Sequence, residues 1–365
     1  TTQEGANMAQ KVIDSVNGVA TNNVSSSNDP IVQTANSAAG QAKQDLQNNP
    51  DHSTTSDDAS IQNNPIKAAA YKVAVNQMHQ QYADGSGSYL NNQAKPSTDL
   101  GKQGYTDAQA GFAAGFNGTS VPNEHSATKA GQTAGQSALA GYQDALSNKK
   151  DTSGDAMQQQ ANAAALQAFD DAKNLKTTDL STKPVVAYQL AYQKAQQDAA
   201  AATTSGATAF ANGETRPTGD DALSQVKQAA YDYAKSGYEA ARDGKVTDDD
   251  KKNPSFMAGV DAYNQSIKGH DAYVNGEKLP DDASAAEKAG YTAAQDAYSS
   301  GKNDSAKPSD LGSKPETYQD VYNNAYADAK AKATIGASEA FNNTTPVSQD
   351  GWTQAQKTAY AAGKQ

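Results

Sequence analysis

Tyrosine carries most of the chemical potential of this sequence. Eighteen Tyr stand beside six Phe, one Trp and no Cys in 365 residues. Several are set seven apart: Tyr231 and Tyr238, Tyr291 and Tyr298, and Tyr105 with Phe112. Seven residues return to nearly the same face of an α-helix, so each pair shows two rings along one stripe. A phenol has an apolar body and a polar tip. Such a stripe serves either as packing surface or as a platform on which a sugar or a partner stacks. Core packing is the expectation. Tyr105, Tyr231, Tyr238, Tyr291 and Tyr298 are the candidates for ligand stacking.

No other residues approach a reactive constellation. The four His, at 52, 79, 125 and 270, include no pair at i and i+4, and no HExxH occurs. The absence of Cys removes thiolate ligands and thiol nucleophiles. Asp248-Asp249-Asp250 precedes Lys251-Lys252, but the calcium-loop alternation with its Glu at position twelve is missing, so a charged linker is expected. The Gly-Lys pairs at 244, 301 and 363 lack the GxxxxGK[ST] frame of a phosphate loop. Nothing resembles a nucleophile elbow. No catalytic, cofactor or metal residue is therefore named, and enzymatic activity is not expected.

Charge narrows the partners. The net charge is −11 and the pI about 4.8, which disfavours nucleic acid and anionic membrane surfaces. No run of 18 apolar residues offers a membrane span. Leu, Ile, Val and Phe together make 40 residues, about 11%, which is in the range of disordered chains. The 69 Ala argue the other way, because Ala is the best helix former. An all-α chain of about twelve helices in tandem hairpins is expected, as an elongated solenoid or a string of small bundles.

The elements that must position the tyrosines are marked by a recurring turn. Phe116-Asn117-Gly118 with Pro122 returns as Phe210-Ala211-Asn212-Gly213 with Pro217 and as Tyr273-Val274-Asn275-Gly276 with Pro280. A worn copy is Phe341-Asn342-Asn343 with Pro346, and a fainter one Leu46-Gln47-Asn48-Asn49-Pro50. Asn and Gly accept the left-handed backbone that closes a helix, and Pro cannot continue one. First helices, ending in this phrase, are expected over 30–47, 99–117, 184–212, 254–275 and 315–342. Second helices are expected over 57–84, 124–147, 220–244, 282–301 and 348–363, three of them ending in Gly-Lys. An additional helix is placed at 155–174 and another at 4–19. Asp57-Asp58, Asp220-Asp221 and Asp281-Asp282 are N-cap candidates. The resulting divisions are 1–53 for a truncated repeat and first helix, then repeats over 54–120, 121–182 (with one extra helix), 183–252, 253–313 and 314–365. Glycines inside the helices, such as Gly111, Gly115, Gly131 and Gly135, each cost about 1 kcal/mol relative to Ala. Their recurrence predicts close helix contact, with a Tyr ring of the neighbour lying over the small residue.

The Ala/Tyr/Gly-rich helical repeats, exemplified by 289–298 (AGYTAAQDAY), the Asn/Gln/Asp/Ser-rich linkers and the lack of Cys resemble repeat regions of large surface proteins of Gram-positive bacteria, lactobacillal adhesins in particular. The resemblance covers most of the chain in style and supplies no binding residue. It implies an extracellular, wall-attached segment of a longer chain, in keeping with the start at Thr1-Thr2 and the missing Leu-Pro-x-Thr-Gly sorting signal. The implied function is adhesion, to a glycan or protein of a host or bacterial surface, by a monomeric non-enzymatic module. A structural spacer that projects another domain is the alternative. A carbohydrate-active or cell-wall enzyme is a third reading. It would need converging carboxylates, and the acidic residues fall at helix starts and in linkers.

Overall fold

Helix caps written into the sequence divide the chain. The computed structural model describes residues 2–183 and 185–365, and these contain thirteen α-helices, two single-turn 3-10 helices and no strand. The fold is all-α and tandem. Two compact units result, one of residues 1–168 and 178–195, the other of 169–177 and 196–365.

The first unit contains α1 (Thr2–Ala20), α2 (Pro30–Asn48), α3 (Ala59–Gln62), α4 (Pro65–Leu90), α5 (Asp99–Asn117) and α6 (Ser126–Leu146), with parts of α7 (Ala156–Asn174) and α8 (Val186–Ala211). The second contains the remainder of those two and α9 (Ala222–Arg242), α10 (Pro254–Asn275), α11 (Ala285–Lys302), α12 (Glu316–Asn342) and α13 (Gln354–Gly363). Helices consecutive in sequence pack on one another in each unit. The expected opening of α8 at Pro184 lies outside the described residues.

Most boundaries follow local chemistry. Asp29 caps α2 by accepting from the Ile31 amide at 2.8 Å, with Pro30 in the first turn. Asn253 accepts from the Ser255 and Phe256 amides ahead of Pro254 in α10. Asp58 and Asp221 cap as expected, whereas α11 is capped by Ser284 rather than by Asp281 or Asp282. Gly118, Gly213 and Gly276 close their helices with φ of 67°, 73° and 75°. At the last of these, Glu277 N–H donates to Ala272 O at 2.8 Å and Gly276 N–H to Tyr273 O at 3.0 Å, the paired bonds of a Schellman cap.

Two expectations need correction. The helix expected over 57–84 restarts at Pro65, as a proline that cannot donate to the helix ladder implies, but it does not stop at Gly85 and runs on to Leu90. The second helices do end at the Gly-Lys pairs: Gly244 follows α9 with a left-handed φ of 67°, and Gly301 and Gly363 lie in the last turn of α11 and α13. The interior glycines do mark close contact, but what they meet is backbone. A Cβ at Gly131 would lie 2.1 Å from Ala108 O, and at Gly111 2.0 Å from Thr128 O. The same reciprocity joins α9 to α10 through Gly237 and Gly259, and α10 to α11 through Gly269 and Gly290. Helices with no Cβ at the crossing approach until Cα–H groups meet carbonyl oxygens, a weak but recurrent bond.

Ala dominates the interior between these crossings. Ala35, Ala38, Ala39 and Ala42 of α2 and Ala293, Ala294 and Ala297 of α11 are all at most 1% exposed. Small side chains bring helices close and leave little apolar area per residue. The large volumes are Tyr71, Tyr192, Tyr238, Tyr322, Phe112 and Phe169, each no more than 2% exposed.

Candidate functional site

The period-seven tyrosines form clasps around a ring from the preceding helix. Tyr273, at the end of α10, meets Tyr291 edge-on at 5.5 Å and Tyr298 at 6.1 Å, both from α11. Phe210 of α8 lies between Tyr231 and Tyr238 of α9 at 5.3 and 5.8 Å. Tyr89 of α4 lies between Tyr105 and Phe112 of α5 at 5.3 and 6.1 Å. Edge-to-face pairs at these separations add about 0.5–1.5 kcal/mol to area burial. The aromatic before each Asn-Gly turn is thus the tongue of a clasp, except for Phe116, which packs on Phe112 and Tyr142.

The five stacking candidates do not form one exposed stripe. Tyr238 and Tyr298 are buried, at 0% and 4% exposure, so neither offers a ring face to a ligand. Tyr105, Tyr231 and Tyr291 are half-buried, each with one edge committed to the clasp. Lys95 Nζ lies 5.6 Å from the Tyr105 ring centroid, and Tyr231 donates its hydroxyl to Glu214 O at 3.2 Å.

Several buried phenol tips are satisfied across helix pairs by carboxylates, whereas Tyr238 donates to the Glu316 carbonyl and the hydroxyl of Tyr322 has no hydrogen-bond partner among the described residues. Tyr71 donates to Asp45 at 2.7 Å, Tyr82 to Asp107 at 2.6 Å and Tyr318 to Asp296 at 2.7 Å. Tyr298 donates to Asp328 and Tyr360 to Glu339. Burial, followed by the neighbouring carboxylate, pushes the phenols of Tyr71, Tyr82, Tyr298 and Tyr318 well above the usual tyrosine range. Burial alone accounts for most of the rise at Tyr89, pushed up to about 12.

Beside one clasp the surface opens into a cleft of about 370 Å³. Tyr273 and the buried Tyr298 line it, together with the α10 cap at Gly276. From α11 it receives Gln295, Ser299 and Lys302, spaced so that helical periodicity sets them on one face. Gln354 and Thr358 come from α13, again one turn apart. No Asp or Glu lines it. Sequence reading missed this set. Each residue type is unremarkable alone, and α13 reaches α11 only through tertiary packing. Only Tyr273, as the ring before Asn-Gly, and Tyr298, as a period-seven ring, carried a signal.

Other polar groupings are structural. Asp107 accepts from Tyr82 and lies 3.2 Å from His125 Nδ1, tying α4, α5 and the start of α6. His52 contacts Tyr71 edge-on at 6.4 Å, and His270 Nδ1 lies 2.9 Å from Asp271. Asp248 and Asp249 pair with Lys251 and Lys252 at 2.8 and 2.7 Å, and Asp250 accepts from Thr247. Among the described residues no three His, Asp or Glu side chains converge as metal ligands. No helix among them is long and apolar enough to cross a membrane. No known protein family, no curated protein and no solved structure matches the chain.

Proposed function

We propose that the chain is a non-enzymatic, extracellular module acting in bacterial adhesion, with a glycan or protein of a host or bacterial surface as its target. The observation that carries this reading is the division of labour among the side chains. Many of the large aromatic rings pack in clasps between helices, while the half-buried Tyr273 also lines an open cleft together with amide and hydroxyl groups and no carboxylate. The style of the repeats, which resembles surface adhesins, supports the extracellular placement. The net charge of −11 fits a polypeptide or neutral glycan target better than a nucleic acid or anionic lipid. Attachment of the purified chain to mucin-coated and collagen-coated surfaces, against an albumin coat, tests it. Retention on either coat above the albumin background is the expected result; equal retention on all three refutes adhesion.

A structural spacer is the second reading. It is favoured by the recurrence of the same clasp at Tyr89, Phe210 and Tyr273, because a unit repeated for packing alone needs no ligand.

A further inference from the structure

Four side chains lining the cleft between α11 and α13 are free to take up a ligand. Gln295, Ser299, Lys302 and Gln354 make no side-chain hydrogen bond or ion pair among the described residues. Other amides are committed to neighbours, as Gln80 is to Asp84, Gln41 to Asp45 and Gln356 to Asp328. Thr358 donates to Gln354 O at 2.9 Å and keeps its lone pairs for an outside donor. The Tyr273 ring is half-buried, and the hydroxyl of Tyr298 is already donated to Asp328.

We propose that this cleft binds a neutral oligosaccharide, with Tyr273 as the ring against which a sugar face lies and Gln295, Ser299, Lys302 and Gln354 as its hydrogen-bonding groups. The assignment rests on the adhesion reading and names its ligand class. A carboxamide both donates and accepts, as does a hydroxyl, so the amides of Gln295 and Gln354 and the hydroxyl of Ser299 match the dual character of sugar hydroxyl groups. The ammonium of Lys302 offers donors only, which suits ring and hydroxyl oxygens. A phenol ring presents the flat apolar wall that the C–H face of a pyranose needs. The volume of about 370 Å³ lies within the range of small-ligand sites. An acidic sugar fits less well. One lysine stands in a chain of net charge −11, and anion sites use paired cations or fixed forks of N–H groups.

Calorimetric titration of the full chain with maltotriose, chitotriose and trigalacturonic acid, each to roughly 10 mM, tests the proposal. At least one neutral sugar should bind and trigalacturonic acid should not bind more tightly. Gln295→Ala and Gln354→Ala should each weaken that binding about three- to tenfold, the loss of one hydrogen bond. Both positions are exposed, so the variants should melt with the parent. Gln136→Ala, on exposed surface of α6 in the other unit, should leave binding unchanged. Neutral-sugar binding that ignores both cleft variants overturns this site, as does binding of the acidic sugar alone or of no sugar. The coated-surface assay distinguishes these failures from failure of the adhesion reading. Retention there without sugar binding leaves the module an adhesin for protein and removes only the saccharide site.

Discussion

Gly290→Ala should destabilise the second unit even though Ala is the better helix former. The glycine sits inside α11, where a Cβ would lie 2.0 Å from Ser266 O and 2.7 Å from the carbonyl carbon on α10. Ordinary contact starts at 3.4 Å, so the helices must part by roughly 1.4 Å, because a backbone carbonyl cannot rotate aside as a side chain does. On the same interface Gly269 approaches Glu287 O to 1.9 Å on the same measure, and that crossing is lost with the first. A gap of only about 0.5–1 Å forfeits a quarter to a half of each dispersion contact. Overpacking costs about 1–3 kcal/mol, and a site closed by backbone on both sides belongs at the upper end. Helix propensity returns about 1 kcal/mol. The net loss is about 2 kcal/mol, read as a lower urea midpoint at unchanged slope. Gly87→Ala supplies the opposite sign. It lies within α4 with nothing inside 4 Å of the added Cβ, and should stabilise by about 0.5–1 kcal/mol. A Gly290→Ala midpoint that rises alongside Gly87→Ala would refute the close-contact account.

Three further outcomes follow from the clasps and caps. Tyr298→Phe keeps the ring and loses the bond to Asp328, costing about 1.5 kcal/mol, whereas Tyr298→Ala opens the clasp and costs about 3–5 kcal/mol. Urea midpoints must fall in that order. Gly276→Val forces a β-branched residue to φ 75° and should cost about 1–2 kcal/mol; an unchanged melting temperature contradicts the cap. Alkaline pH should unfold the protein. The phenols of Tyr71, Tyr82, Tyr238, Tyr298 and Tyr318 are raised above their free value of 10.0, so the unfolded chain loses protons first and stability falls as pH rises from about 10. Melting temperatures from pH 8 to 12, with phenolate absorbance followed in parallel, check this. Full ionisation of all tyrosines before any unfolding rules it out.

Helices were legible because their signals are local. Ala content, Asn-Gly stops and Pro starts placed α5 and α10 at 99–117 and 254–275, which are the observed bounds. What stayed hidden depends on a partner in space. Gly85 reads as a stop in sequence, yet it is a crossing point because the carbonyl of Gly101 comes to meet it. Gly301, in the last turn of α11, is likewise buried against Tyr326 O, with Asp304 taking the left-handed position at φ 49°. The cleft was hidden for the same reason. Its polar groups come from two helices separated by the whole of α12, and no single stretch contains the set.

The three clasps share one register, and that register explains why Phe341 of α12 is left out of a fourth. Gly85, Gly206 and Gly269 face the carbonyls of Gly101, Lys227 and Glu287. In each case the tongue lies four residues after the glycine, at Tyr89, Phe210 and Tyr273. The paired rings lie four and eleven residues after the facing carbonyl, at Tyr105 and Phe112, Tyr231 and Tyr238, and Tyr291 and Tyr298. In α12 the glycine is Gly336 and the facing carbonyl Tyr360. Phe341 stands five residues on, a further 100° or so around the helix, and the place of the first paired ring is taken by Lys364, whose Nζ lies over the Tyr360 ring at 5.1 Å. Phe341 is accordingly 89% exposed, against 4% for Phe210. The same turn phrase should then give opposite responses to the same change. Phe210→Ala removes a buried tongue and should cost about 3–5 kcal/mol. Phe341→Ala should stay within about 0.5 kcal/mol of the parent, as surface substitutions do. Both are read from urea midpoints on the full chain. Equal losses would mean that the aromatic matters through its turn, and that the register joining glycine, carbonyl and ring has no part in holding these helices together.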